Sequence, residues 1–132
     1  SLINMLNRSI EYAVLGLLDL AAARGERKSI KQIAVATGLP QSFLGKIFQK
    51  LSNAGIVDHK FGPDGGFVLA MAPKRLSLRV IFQAVDPDYF TPCDRQATSY
   101  CSRKKCSLRR VLREAEEVHR DFLQRQSLAD LL

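Results

Sequence analysis

The stretch SIKQIAVATGLPQSFLGKIFQKLSNAG, Ser29 to Gly55, decides the fold. It opens on Ser29-Ile30-Lys31-Gln32, the spacing of a capping box, in which a serine hydroxyl and a glutamine side chain each satisfy a backbone N–H at a helix start. The short helix that follows stops near Gly38. Pro40 suits the first turn of a second helix, because its missing N–H would be unpaired there anyway, and Phe43, Leu44, Ile47, Phe48 and Leu51 mark that helix's inner face. Gly55 closes it. Two helices joined across Thr37-Gly38-Leu39 have the form of a helix-turn-helix, whose second helix presents its N-terminal residues to the major groove of DNA.

Working outward, Ile56 to Phe61 reads as a strand, Gly62-Pro63-Asp64-Gly65-Gly66 as a tight loop needing positive φ, and Phe67 to Met71 as the returning strand. Helix, helix, hairpin in that order is a winged helix. Upstream, Ser9 to Ala23 places Ile10, Ala13, Val14, Leu17, Leu18 and Ala21 on one helical stripe. Downstream, a capped segment from Ser77 to Val85 adds a helix before Asp86-Pro87-Asp88 breaks the pattern. The expected fold is mainly α with a small β-hairpin: a winged helix-turn-helix domain over 1–85, a cysteine-bearing loop over 86–106, and a long dimerisation helix over 107–132. In that last segment Leu108, Val111, Leu112, Ala115, Val118, Phe122 and Leu123 recur every three or four residues. Too little chain remains to cover them, so a second copy is the expected partner.

The 132 residues are 46% hydrophobic, enough for one domain and an appendage. Twenty Lys and Arg against thirteen Asp and Glu leave a formal charge of +7, which favours a polyanion through phosphate attraction and counterion release. The longest apolar run, Tyr12 to Ala23, is broken by Gly16 and Asp19 and falls short of the roughly 20 residues of a membrane span. With no signal-peptide pattern before it, a soluble cytoplasmic protein without a membrane partner is expected.

Cys93, Cys101 and Cys106 are the only cysteines, at C-x7-C-x4-C spacing. An odd count cannot close entirely into intrachain disulfides, and clustered thiolates point to a metal or iron-sulfur site with one coordination position supplied from elsewhere. A structural zinc, reversible disulfide sensing and unreactive thiols are the alternatives. A redox or metal-dependent enzyme has less behind it, since no His or acid stands at a nucleophile-activating spacing. His59 and His119 read as solvent-facing or dimer-surface residues.

Three stretches, Ser9-Ile10-Glu11-Tyr12-Ala13-Val14, Gly38-Leu39-Pro40-Gln41-Ser42-Phe43-Leu44 and Gly62-Pro63-Asp64-Gly65-Gly66-Phe67, together with the cysteine loop and the helix after it, resemble the iron-sulfur winged-helix transcriptional regulators typified by IscR and NsrR. The resemblance spans nearly the whole chain. It implies a homodimeric transcription factor that holds an iron-sulfur cluster, 2Fe-2S or 4Fe-4S, through Cys93, Cys101 and Cys106 and changes its DNA affinity with cluster state. IscR-like members carry a His three residues after the last Cys; this chain has Arg109, which stays protonated and cannot ligate. In NsrR-like members an acid directly before the helix-1 aromatic-Ala pair completes the cluster from the partner subunit, and Glu11 matches that position. A helix-start acid favoured by the helix dipole explains Glu11 as well. The family's wing often has Arg before the Gly-Pro pair, where this chain has Phe61 beside Lys60.

At the DNA, Gln41, Ser42 and Phe43 lead the second helix. Gln41 and Ser42 are placed to meet base edges, and Gln can pair in bidentate fashion with adenine. Lys46, Lys50, Lys60, Arg8 and Lys28 are expected on phosphates, positioning without reading sequence. Gln41, Ser42, Lys46 and Gln49 would also serve as the wet face of a helix. Two such helices about a two-fold axis demand a palindromic operator in double-stranded DNA.

Overall fold

The computed structural model describes residues 7–90 and 107–132. Helix α1 (Arg8–Ala22) starts where Asn7, in extended backbone, accepts the Ile10 N–H on its side-chain oxygen at 2.9 Å. It buries Ile10, Ala13, Gly16, Leu17 and Leu20. Helix α2 (Ile30–Thr37) carries the expected capping box, with Ser29 and Gln32 exchanging side-chain bonds to each other's backbone N–H, and ends at Gly38 with φ 73°. Helix α3 (Gln41–Asn53) follows; Pro40 is its N-cap rather than its first residue, because its ψ of 125° is extended. Strands β1 (Val57–Lys60) and β2 (Gly66–Leu69) pair antiparallel, with His59 opposite Phe67 and Lys60 opposite Gly66. A 3-10 turn at Pro73–Arg75 leads to α4 (Leu78–Val85), capped by Ser77.

Leu44, Ile47, Phe48 and Leu51 of α3 pack on the α1 stripe, joined by Ile33, Ile56, Phe67, Ile81 and Phe82. Gly16 permits the closest approach. A Cβ there would stand 2.7 Å from Phe48 Cε1, inside contact distance. The hairpin is not a free two-stranded unit, since Lys28 bridges to Phe67 through bonds of 3.0 and 2.8 Å in the two directions. A hairpin alone is marginal in water, and this third segment fixes its root to the domain.

Three expectations are corrected. Phe43 is 56% exposed and faces away from the core, because the inner face of α3 is already filled by Leu44, Ile47, Phe48 and Leu51. Phe90, assigned to the loop, is buried, with Tyr89 edge-on to Phe82. The last helix, α5, spans Ser107–Arg125 and does not run to residue 132. A 3-10 turn at Leu128–Leu131 folds back, the Leu78 N–H donating to Gln126 O and the Leu128 N–H to Leu76 O, so Leu128 is fully buried in the winged-helix core. Along α5 itself Leu123 is buried, whereas Leu108, Val111, Leu112, Val118 and Phe122 face outward.

Candidate nucleic-acid interface

The outward face of α3 follows from its inward one. With the apolar side chains turned onto α1, Gln41, Ser42, Lys46 and Gln49 fall on the exposed side. Gln41 and Ser42 occupy the first turn, the part of a recognition helix that reaches base edges. Phe43 meets the edge of Tyr12 at 6.3 Å and 75°, forming a small aromatic patch beside Glu11 at the start of α1.

The expected phosphate-binding lysines divide. Lys46 and Lys60 are exposed on α3 and on the wing, and Arg8 is exposed at the head of α1. Lys28 instead pairs with Asp19 at 2.6 Å, tying the bridging segment to α1. Lys50 donates to the Val85 carbonyl at 3.2 Å, holding the end of α4 to α3. Both lysines make a contact within the domain, although Lys50 is exposed like Lys46 and Lys60. Sequence alone cannot separate such lysines from the others, since the distinction lies in residues 9 and 35 positions away.

Between α3 and the wing lies an open cleft of about 1080 Å³, lined by Arg27, Gln32, Gln49, Asn53, Lys60 and Phe61 among others. Its donors come from α2, α3, β1 and the segment before α2, and Glu26 and Asp64 line it as well. Sequence reading missed the cleft because the wing's angle to α3 depends on the Lys28 bridge.

The approach to the cysteine loop is well built. Asn7, having capped α1, donates from Nδ2 to Asp86 Oδ2 at 3.2 Å, and Asp86 Oδ1 accepts the Asp88 N–H. Burial pushes the Tyr89 phenol above its ordinary pKa, and the Asp86 carboxylate adds to the rise. Its oxygen lies 3.5 Å from His119 Nε2 on α5, and Arg120 stands over the Phe90 ring at 5.3 Å. His119 is thus an intrachain anchor. Glu11 is exposed on the first turn of α1. Cys93, Cys101 and Cys106 lie outside the described residues, among which no group of three or more metal-ligating side chains gathers.

A family model described as an iron-dependent transcriptional regulator, Rrf2, matches residues 6–132. The chain belongs to the Rrf2 family. Among curated relatives, NsrR of Bacillus subtilis is 30% identical over 125 residues, covering 92% of this chain and 86% of that one. IscR of Erwinia tasmaniensis is 32% identical over 124 residues, covering 92% and 74%. Among solved structures, CymR of B. subtilis, the global cysteine regulator, superposes with a TM-score of 0.75 at 22% identity over 96% of this chain and 94% of that one. IscR of T. potens gives 0.73 at 24% identity over 96% and 84%. As an Rrf2 protein the chain is a DNA-binding transcriptional regulator, and its relatives are regulators rather than enzymes. Among the described residues no helix is long and apolar enough to cross a membrane.

Proposed function

We propose that this Rrf2 protein is a cytoplasmic homodimer that binds a palindromic operator and changes its affinity with the state of an iron-sulfur cluster. Cys93, Cys101 and Cys106 hold the cluster, completed by Glu11 of the partner subunit. The donor set suits it: three thiols, a carboxylate left exposed on α1, and Arg109 unable to ligate. A carboxylate is a harder, more labile ligand for iron than a thiolate, which suits a sensor. When bound, such a cluster supplies a redox- and ligand-sensitive link between the cysteine loop and α1.

One observation carries the reading: the head of α1 is joined to both ends of the regulatory problem. Asn7 caps α1 and grips Asp86 at the loop's start, while Gly16 of the same helix seats Phe48 of α3. Lys50 adds a second tie from α3 to Val85. A pull on Glu11 or on the loop therefore acts on the helix that α3 rests against, a packed element that two sites can bias.

Anaerobic purification with absorption and Mössbauer spectra, followed by DNA binding before and after cluster removal, tests this. Each of Cys93→Ala, Cys101→Ala and Cys106→Ala is expected to lose the cluster, and Glu11→Ala to retain one with an altered spectrum. A colourless protein whose DNA binding responds to thiol oxidation would replace the cluster with a thiol switch. Unchanged spectra and unchanged cluster dependence in Glu11→Ala would reduce Glu11 to a helix-start acid.

A further inference from the structure

Phe61 is 83% exposed, at the point where β1 gives way to the wing loop. A single exposed apolar side chain is ordinary. This one is mounted on a ladder of rings. His59, two positions back on the same face of β1, lies 4.3 Å from the Phe61 ring at 58° and stacks on Phe67 at 4.2 Å and 5°. Phe67 meets Phe48 edge-on at 5.2 Å and 73°, and Phe48 is a fully buried residue of α3. The Phe61 ring thereby leans on a stack that runs back through His59 and Phe67 to α3, and preorganisation of that kind lowers the ordering cost of contact.

The loop beyond it is equally constrained. The Gly65 N–H donates to Gly62 O at 2.9 Å. A Cβ on Gly66 would meet the Lys28 carbonyl carbon at 2.8 Å, and one on Gly65 would overlap the Lys60 carbonyl oxygen. Neither position accepts a larger residue in this backbone, so the turn depends on both glycines.

What lies across the cleft from α3 follows from duplex geometry. A single phosphodiester strand separates a major groove from the adjoining minor groove. The cleft between α3 and the wing is lined by the donors Arg27, Gln32, Gln49, Asn53 and Lys60, with Arg27 also donating to Gly66 O and the carboxylates Glu26 and Asp64 lining it too, so a strand would be held on the α3 and Lys60 side. With α3 in the major groove and the strand in the cleft, the wing's end meets the minor groove. A phenyl ring has no hydrogen bond to give there. It gains by leaving water and entering a base step, as apolar wedges in the minor groove do.

We propose that Phe61 is a minor-groove wedge that partly unstacks one base step beside each half-site and so selects operators by deformability. This rests on α3 reading the major groove. A cation at this position would favour the narrow, strongly negative minor groove of stiff A-tracts; a phenyl wedge favours flexible pyrimidine–purine steps, TA or CA/TG, at a constant distance from the bases α3 reads. Lys60, next in the chain, holds the adjoining phosphate.

Duplexes selected by the full chain from a randomised pool, in cluster-loaded and cluster-free preparations, supply the probe, and permanganate reports unstacked thymines. Enrichment of a pyrimidine–purine step at constant offset is expected, with permanganate reactivity there in the complex. Phe61→Ala is expected to lose that reactivity and roughly 5- to 150-fold in affinity, the range one lost base–aromatic stack commands. Phe61→Leu, still an apolar wedge but without a π face, is expected to keep the reactivity and only part of the affinity. Affinity within about twofold and an unchanged permanganate pattern in Phe61→Ala would overturn the wedge and leave the DNA reading intact. Recovery of affinity in Phe61→Arg without unstacking would overturn it in favour of simple groove contact. Failure of both preparations to select any duplex would overturn the major-groove reading, and the wedge with it.

Discussion

The wing and α5 both hold large apolar side chains in water, but they are differently built. At the wing one ring, Phe61, projects from a hairpin whose root, Val57 and Phe67, is sealed onto the core. Along α5 the exposed residues form a repeating stripe, with Val118 at 71% and Phe122 at 53%, on a helix that meets its own domain through Leu123, His119 and Arg120. A lone ring on a finished domain is a contact tool. A stripe at helical spacing has the form of half a core, which is what the proposed homodimer would complete.

The largest effect should come from the stripe. Replacing Val118 and Phe122 together with glutamate is expected to convert the proposed dimer to monomers in sedimentation, while the winged-helix circular dichroism persists; a double variant that still sediments as a dimer would place the interface elsewhere. Next in size is Leu128→Ala, since removing a fully buried leucine costs about 2 to 5 kcal/mol in denaturant unfolding. A loss near zero there would return the chain's last residues to α5's side of the comparison. On the DNA side, Gln41→Ala is expected to cost about 1 to 3 kcal/mol on a selected site and little on random sequence, whereas Lys60→Ala weakens both. Equal losses for Gln41→Ala on the two DNAs would deprive α3 of its reading role. The smallest is Ser29→Ala, which removes one arm of the α2 capping box and should lower stability by about 1 kcal/mol without changing the oligomeric state.

Local signals carried most of the fold. The Ser29/Gln32 box, Gly38 and the Gly-Pro turn act over three or four residues, and each marks its element within a residue or two. Long-range pairing was not legible. Phe43 stands at inner-face spacing yet lies just outside the arc that α1 covers, and a periodic stripe cannot say how wide its partner is. Leu128 follows the helical run closely enough to extend it by eye, and only the Leu76 carbonyl, 52 positions earlier, reveals that it turns back. Lys28 and Lys50 read as phosphate contacts because a basic side chain carries no local sign of its partner. The cysteines stand out in the sequence only by their clustering, whose spacing carries no periodic sign of a fold, and Cys93, Cys101 and Cys106 lie outside the described residues.

The two hydrogen bonds that join Lys28 to Phe67 divide the hairpin in time. Amides at that root are locked to the α1 and α3 packing and should exchange with solvent only when the whole domain opens, whereas those of Pro63's neighbours at the tip exchange on local breathing alone. Graded exchange along the hairpin, slowest at Lys28 and Phe67 and fastest around Pro63, would show that the root of the wing shares the stability of the domain core.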